Sequence, residues 1–145
     1  MSVNRTKRKV MDRDILGKLL CYLKELPDDC SGFLAMLLMT GSRRGEALAV
    51  RWEAIGWNDG TLHLQRVIRF RNDASEVSTK MKTASANRTV ALWSELIPYL
   101  GMPQKSGFII SGGGEPIKER QYKKLWKRVL HELKKLGFTV HFTAH

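Results

Sequence analysis

The stretch FLAMLLMTGSRRGEALAVRW, residues 33–52, contains two apolar segments separated by a Thr-Gly pair, a serine and two arginines. Apolar residues on every side predict a buried central helix over residues 31–40, with Gly41 as its C-terminal stop. Arg43 and Arg44 follow directly. A charge beside a core is costly to bury unless it has a partner. The junction therefore predicts an anionic partner for at least one arginine.

A third helix is predicted just after this junction. Ser42 is a candidate N-cap, and the helix would run through Glu46 to about Trp52. Backbone N–H groups and the positive end of the helix dipole would then lie beside Arg43, which favours a phosphate site. The alternative is an exposed arginine that pairs with Glu46. On these residues alone, that second interpretation is the simpler one.

Two more helices are predicted, one on each side of this region. The first would be capped by Asp12 and stopped by Pro27, with one apolar stripe formed by Ile15, Leu16, Leu19, Leu20, Leu23 and Leu26. The last is strongly amphipathic and would be closed by Gly137. Its apolar stripe consists of Tyr122, Leu125, Trp126, Val129, Leu130, Leu133 and Leu136.

The middle of the chain favours β-structure. Turn chemistry at residues 58–60, and again at 71–73, borders segments that alternate apolar and polar residues. We expect a small antiparallel sheet of about three strands at 61–92, its last hairpin crossing residues 80–88. A short helix at 94–100 would follow. The predicted fold class is α+β, mainly helical, with this sheet packed against the helices.

Composition indicates the kind of partner. The 145 residues carry a formal net charge of +11, with a pI near 10.0, and 43% are apolar. The charge favours a polyanion such as nucleic acid, while the apolar content suffices for one domain with a core. No apolar stretch approaches the roughly 20 residues of a spanning helix, and no secretory leader is readable. Cys21 and Cys30 are expected to be reduced, so a cytoplasmic protein with no membrane partner is predicted.

Few patterns for other chemistry are present. SGGGE at 111–115 lacks the lysine and hydroxyl of a phosphate-binding loop, and His141 and His145 lack the glutamate of a zinc-protease helix. No metal or cofactor is expected. KMKTASANRTV, residues 80–90, places lysines beside Ser, Thr and Asn on a predicted hairpin. Such lysines could follow a DNA backbone, or the segment could be an ordinary solvated hairpin.

Taken together, the order of these motifs resembles the catalytic domain of the tyrosine recombinases, the phage integrase family. The first motif is T-G-x-R-x-G-[DE] after an apolar helix, here Thr40 to Glu46. The second is a lysine-threonine, a serine, an arginine and an apolar strand, here Lys82, Thr83, Ser85, Arg88 and TVAL. The third is H-x-x-R, of which His145 supplies only the histidine. The resemblance covers roughly residues 10–145.

The resemblance implies roles for individual residues. Arg43 would bind the scissile phosphate, and Glu46 would support the site by holding that arginine's rotamer. Lys82 would protonate the leaving 5′ oxygen, with Lys80 as a rival by proximity. His145 would position the phosphate and move protons. The DNA-binding residues would be Arg43, Lys80, Lys82 and Arg88, and Arg44 falls at a variable position.

The resemblance also implies what lies elsewhere. Residues 1–10 would be a basic leader and 11–145 a partial catalytic domain, without the family's N-terminal DNA-clamping domain. The second arginine and the nucleophilic tyrosine would lie beyond residue 145, so this chain alone is expected to be inactive. The full-length protein would be a bacterial or phage-encoded recombinase that acts on double-stranded DNA as a homo-oligomer.

Two other function classes stay open at this stage. A basic module could bind DNA without catalysis, using the same surface. An RNA-binding protein is suggested by charge alone.

Overall fold

The computed structural model describes residues 13–79, 87–110 and 115–137. Helix α1 spans Arg13–Tyr22, and a 3-10 turn at Leu23–Glu25 continues it. This confirms a helix before Pro27, while the predicted cap Asp12 lies outside the described residues. Leu19, Leu23 and Leu26 of the predicted stripe are buried in the core, whereas Leu20 is 36% exposed and does not belong to the buried face.

Helix α2, Asp28–Thr40, is the central element of the fold. All residues from Cys30 to Met36 are buried, in agreement with a sequence that is apolar on every face. Gly41 ends the helix at a φ of 68°, and its N–H donates to the carbonyl of Leu37. The left-handed conformation explains the glycine. The helix starts three residues before the predicted range, with Asp28 and Asp29 in its first turn, where carboxylates are favourable.

The prediction for the third helix is wrong in its cap and its length. Helix α3 spans only Arg44–Leu48, and Arg43 is its N-cap. Ser42 is buried instead, where its N–H donates to the Thr40 hydroxyl at 3.1 Å. The backbone N–H of Arg43 donates to a carboxylate oxygen of Glu46, three residues ahead, at 2.8 Å. Capping from Glu46 thus starts the helix one residue later than a serine cap would.

The strands form two antiparallel sheets, so the expected single three-stranded sheet needs correction. Strands β1 (Ile55–Gly56) and β2 (Thr61–Leu64) belong to the first sheet, and β3 (Arg66–Arg71) pairs with β4 (Ala74–Thr79) in the second. Strand β5, Arg88–Ala91, returns to β2 and completes the order β1-β2-β5. The chain leaves the first sheet at Gln65. The antiparallel pairing itself is confirmed, but β4 and β5, which flank residues 80–88, lie in different sheets, so they do not form the expected last hairpin.

The turn predicted at residues 71–73 lies between β3 and β4, where Asn72 and Asp73 form a two-residue hairpin loop. Asn72 and Asp73 have φ values of 53° and 64°. Positive φ at both central residues matches the right-handed twist of the flanking strands. Asp73 also accepts the backbone N–H of Arg120, at 3.0 Å, and so ties the turn to the last helix.

That last helix, α4, spans Glu119–Lys135 and packs on α2. Phe33 of α2 lies edge-on to Tyr122 and Trp126, with ring centroids 5.8 and 6.1 Å apart. The apolar stripe is confirmed except at Leu130, which is half-buried and does not pack against the core. Gly137 follows the helix at a φ of 94°. The short helix expected at 94–100 is a 3-10 turn at Ile97–Tyr99. No helix in the described ranges is long and apolar enough to cross a membrane.

Candidate nucleic-acid interface

The turn from Gly41 to Arg43 carries the chain from α2 into α3 and exposes the Arg43 side chain. Arg43 has extended backbone dihedrals, and its N–H is held by Glu46. Among the described residues, no carboxylate lies within ion-pair distance of the Arg43 guanidinium. Because α3 has only five residues, its dipole adds little, so the guanidinium is the main feature that could attract an anion here.

Glu46 pairs with Arg88, which the sequence places 42 residues away. The Arg88 Nη1 and Nη2 atoms donate to the two carboxylate oxygens of Glu46 at 2.9 and 3.0 Å. Nη2 also reaches the Gly41 carbonyl at 3.4 Å. Glu46 is 4% exposed, whereas the Arg88 side chain is 38% exposed. The open choice for Glu46 is thereby resolved: its carboxylate binds the backbone of Arg43 and the guanidinium of Arg88.

Gly45 allows α3 to lie directly on β3. A Cβ atom at this position would lie 2.7 Å from the Val67 Cγ2 and 2.9 Å from the Ile68 carbonyl oxygen. Both distances are shorter than a van der Waals contact allows. The glycine of the T-G-x-R-x-G-E motif is therefore explained by close packing of α3 on the strand, and this packing places Arg43 at the edge of the fold.

The second arginine of the pair, Arg44, packs against aromatic rings. The Arg44 guanidinium lies over the rings of Tyr122 and Phe70, 5.1 and 5.9 Å from their centroids. These two rings stack on each other at 5.9 Å. Cation–π contacts of this kind stabilise a half-buried arginine. Arg44 thus joins α3 to β3 and α4, while Arg43 points to solvent.

The lysines of the second motif and the histidine of the third lie outside the described residues. These are Lys80, Lys82 and His145. The residues on either side of the lysine segment are described: Thr79 pairs with Arg66, and Arg88 pairs with Leu64. Of the predicted site residues, the structure therefore brings together Arg43, Glu46 and Arg88.

The three tyrosines of the chain differ in environment. Tyr122 is buried, and burial raises the pKa of its hydroxyl, against the opposing effect of the nearby Arg44 charge. Ionisation of this hydroxyl is therefore disfavoured. Tyr22 is exposed at the end of α1, and Tyr99 is half-buried in the 3-10 turn at 97–99. Tyr122 contacts the residue next to Arg43, because its ring lies 5.1 Å from the Arg44 guanidinium.

A groove of about 730 Å³ lies apart from these residues. It runs between the start of α2 and the first half of α4, with Tyr99, Ile110, Ile117 and Leu125 on its apolar walls. Asp29 and Arg128 form an ion pair on its rim. Neither Arg43 nor Arg88 lines it. No group of three potential metal ligands occurs in the part of the chain that the structure describes.

The Glu46–Arg88 pair is the feature that local sequence patterns missed. Each residue occurs in a motif, but nothing in either motif indicates that the other is its partner. An acidic residue in an otherwise apolar segment, GEALAV, was the available sign that Glu46 is buried and needs a cation. No protein-family model matches this chain, and no curated protein matches it.

Proposed function

We propose that this chain is the DNA-binding part of a tyrosine-type site-specific recombinase, an integrase, and that Arg43 binds a phosphate of double-stranded DNA. The order of the sequence motifs supports the assignment to the tyrosine recombinases. The net charge of +11 supports a nucleic-acid partner. On this proposal the full protein works as a homo-oligomer on DNA in the cytoplasm of a bacterium.

One observation carries the proposal: Arg43 is free to bind an anion because Arg88 neutralises its acidic neighbour. An unpaired carboxylate at Glu46 would repel a phosphate. The bidentate bond from Arg88 removes that repulsion. The exposed guanidinium of Arg43 can then donate hydrogen bonds to two phosphate oxygens. Arginine suits this task better than lysine because its planar group binds both oxygens at once.

The chemistry that follows is transesterification. A tyrosine hydroxyl attacks the scissile phosphorus, and the bond to the 5′ oxygen breaks as the 3′-phosphotyrosine bond forms. Arg43 would stabilise the charge that develops on the phosphate oxygens. Lys82, or Lys80 as its rival, would give a proton to the leaving oxygen, and His145 would position the phosphate. Attack by a free 5′ hydroxyl on the phosphotyrosine then rejoins the strand.

A salt titration of DNA binding tests the phosphate contact. With about 4–6 phosphates neutralised, log K should fall against log salt with a slope of about −4 to −5. We expect Arg43→Gln to weaken binding and to make the slope shallower by about one unit. Thermal unfolding should change little, because the Arg43 side chain has no ion-pair partner in the described residues.

Lys134→Gln is the matched control, since it removes one exposed charge from the last turn of α4. Equal effects of the two substitutions on DNA binding would contradict a phosphate site at Arg43. A slope of log K against log salt near zero would contradict binding to the DNA backbone altogether. Stronger binding to a structured RNA than to the duplex would favour the RNA-binding alternative.

A nicked DNA substrate that traps covalent intermediates tests the catalytic assignment. We expect no covalent adduct on the 145-residue polypeptide, because Tyr122 is buried with a raised pKa and no described contact brings Tyr22 or Tyr99 to Arg43. An adduct mapped to one of these three tyrosines would overturn the assignment of the nucleophile.

A further inference from the structure

Two tryptophans leave the first sheet at the same end. There the three strands meet in one row, with Gly56 of β1 and Ala91 of β5 on either side of Thr61. Both outer strands pair antiparallel with β2, so they run in the same direction, and two strand spacings, about 10 Å, separate their backbones. Trp57 follows Gly56 directly, and Trp93 comes two residues after Ala91. The two tryptophans therefore extend from neighbouring chain segments at one end of the sheet.

Gly60 holds these two segments together. Its N–H donates to the carbonyl of Gly56, and its carbonyl accepts from the N–H of Leu92, each at 2.8 Å. Trp57 comes directly after the first of these partners, and Trp93 directly after the second. The glycine has a φ of 67°, a left-handed conformation that most side chains disfavour. Backbone hydrogen bonds thus fix both tryptophans beside one turn.

Both of these tryptophans face water. Trp57 is 48% exposed and Trp93 is 57% exposed, whereas Trp52 is buried and Trp126 packs against the core. Tryptophan is highly buried on average, so two exposed residues of this type at one end of a sheet are unusual. Tryptophan is also enriched at the energetic centres of protein–protein interfaces. The pair therefore marks this end of the sheet as an interaction surface.

The charge of the two segments is opposite to that of the chain as a whole. Asp59 lies in the turn, and Glu95 lies just beyond the second tryptophan; both are exposed. Residues 57–60 and 93–95 contain these two carboxylates and no lysine or arginine, although the whole chain has a net charge of +11. A cationic partner would thus be attracted to these segments and repelled by the chain as a whole.

We propose that the tryptophan end of the first sheet, formed by Trp57, Asp59, Trp93 and Glu95, is a docking surface for a lysine- or arginine-bearing segment of a partner protein. The cationic head groups of that segment lie on the indole faces, which attract cations more strongly than other aromatic rings do. The two carboxylates accept charge-assisted hydrogen bonds from the same groups. The methylene groups of the lysine or arginine side chains cover the apolar part of the rings.

This surface is separate from the residues proposed to bind DNA. In the pairing of β2 with β5, Arg88 lies opposite Leu64 at one end, and Ala91 lies opposite Thr61 at the other. Three residue steps, about 10 Å, separate the two ends. The carboxylates also repel phosphate, so the tryptophan end does not suit a nucleic acid. The docking surface is therefore independent of the proposed function.

A peptide titration followed by NMR tests the surface. The probe is a synthetic peptide in which arginine and glycine alternate, and the signals are the indole N–H groups of the four tryptophans. Trp57→Phe and Trp93→Phe each remove one signal and so assign it. We expect the Trp57 and Trp93 signals of the wild type to shift saturably, while those of Trp52 and Trp126 stay unchanged.

A peptide with citrulline in place of arginine is the control probe, because it keeps the shape of the side chain and removes its charge. It should bind several-fold more weakly than the arginine peptide. Equal affinity of the two peptides, or the absence of a saturable shift at Trp57 and Trp93, would overturn the proposal.

Charge variants test the role of the carboxylates. Glu95→Gln should weaken binding of the arginine peptide about two- to five-fold, because an exposed ion pair is lost. Glu25→Gln is the matched control, since it removes one exposed carboxylate outside the tryptophan end, and it should leave the affinity unchanged. Equal losses in the two variants would indicate attraction by net charge alone and would overturn a site at the tryptophan end.

Two other occupants would give different results. If a single-stranded oligonucleotide shifts the Trp57 and Trp93 signals more strongly than the arginine peptide does, the surface stacks bases and the proposal is wrong. If the protein alone self-associates and Trp93→Ala abolishes this, the occupant is a second copy, and the partner protein is wrong. Failure of Arg43→Gln to alter DNA binding would count only against the proposed function.

Discussion

Gly45 illustrates how a single atom can set the distance between two elements. We predict that Gly45→Ala lowers the free energy of unfolding, because its Cβ would meet a backbone carbonyl that cannot rotate away. Overpacking of this kind costs about 1–3 kcal/mol, which exceeds the gain of up to ~1 kcal/mol from the better helix propensity of alanine. Urea denaturation measures the difference.

The matched control for this substitution is Gly17→Ala in α1, where the added Cβ meets nothing within 4 Å. There the helix propensity acts alone, and stability should rise by about 0.5–1 kcal/mol. The same change, glycine to alanine, should therefore lower the free energy of unfolding at position 45 and raise it at position 17. A stabilising Gly45→Ala would contradict the close approach of α3 to β3.

For single residues, the sequence predicted correctly those roles that depend only on the residue itself and its neighbours in the chain. Gly41 as a helix stop, and the Asn72-Asp73 turn, depend on their own backbone conformations, which the residue types reveal. The cap of α3 was missed for a physical reason. Arginine is not a capping residue type, and the cap here comes from Glu46 reaching back to the Arg43 backbone.

Between elements, α4 packs its apolar face against α2 and the core. We predict that Leu133→Ala, at a side chain 2% exposed, lowers the free energy of unfolding by about 2–5 kcal/mol. Leu130→Ala, in the same helix but half-buried, should cost much less because the site is open to water. Chemical denaturation of both variants checks the comparison, and equal losses would contradict the orientation of α4.

The helices were easier to predict than the sheets because their periodicity repeats over several turns. The stripe of α4 contains enough apolar residues to fix its buried face from sequence alone. The split into two sheets at Gln65 could not be predicted in this way. Alternation continues from β2 into β3 almost without a break, although β2 and β3 belong to different sheets and β3 packs on α3.

The stability of the whole molecule should fall at alkaline pH. Burial, reinforced by the Asp29 carboxylate, raises the pKa of the Cys30 thiol from 9.0 to about 11. Above pH 9 the unfolded chain loses this proton while the folded chain keeps it. The free energy of unfolding therefore decreases between about pH 9 and 11, by at most ~1.4 kcal/mol per pH unit from this group.

Denaturation of Cys30→Ala across this pH range provides the check. The variant should show a shallower alkaline decrease than the wild type, whatever its stability at neutral pH. Cys21→Ala, at an exposed thiol, should keep the wild-type pH dependence. An identical decrease in all three proteins would exclude Cys30 as its source, and would leave the buried Tyr122 hydroxyl to account for it.

The candidate site could be predicted only as separate pieces, because its central bond connects distant parts of the chain. The motifs identified Arg43, Glu46 and Arg88 as residues of interest. Glu46 was expected to hold the Arg43 side chain, whereas its carboxylate accepts from the Arg43 backbone N–H and from the guanidinium of Arg88. Sequence spacing carries no information about a contact between residues 42 positions apart.

The same bond constrains how the gene could change over generations. Loss of Arg88 alone removes a guanidinium from a carboxylate that is almost fully buried, which is costly, whereas loss of Glu46 alone leaves a guanidinium that is partly exposed and that water can solvate. Replacing both residues with well-packed apolar ones can be neutral or even stabilising. The easier route therefore changes codon 46 first, and descendants of this chain should lose Arg88 only where Glu46 has already changed.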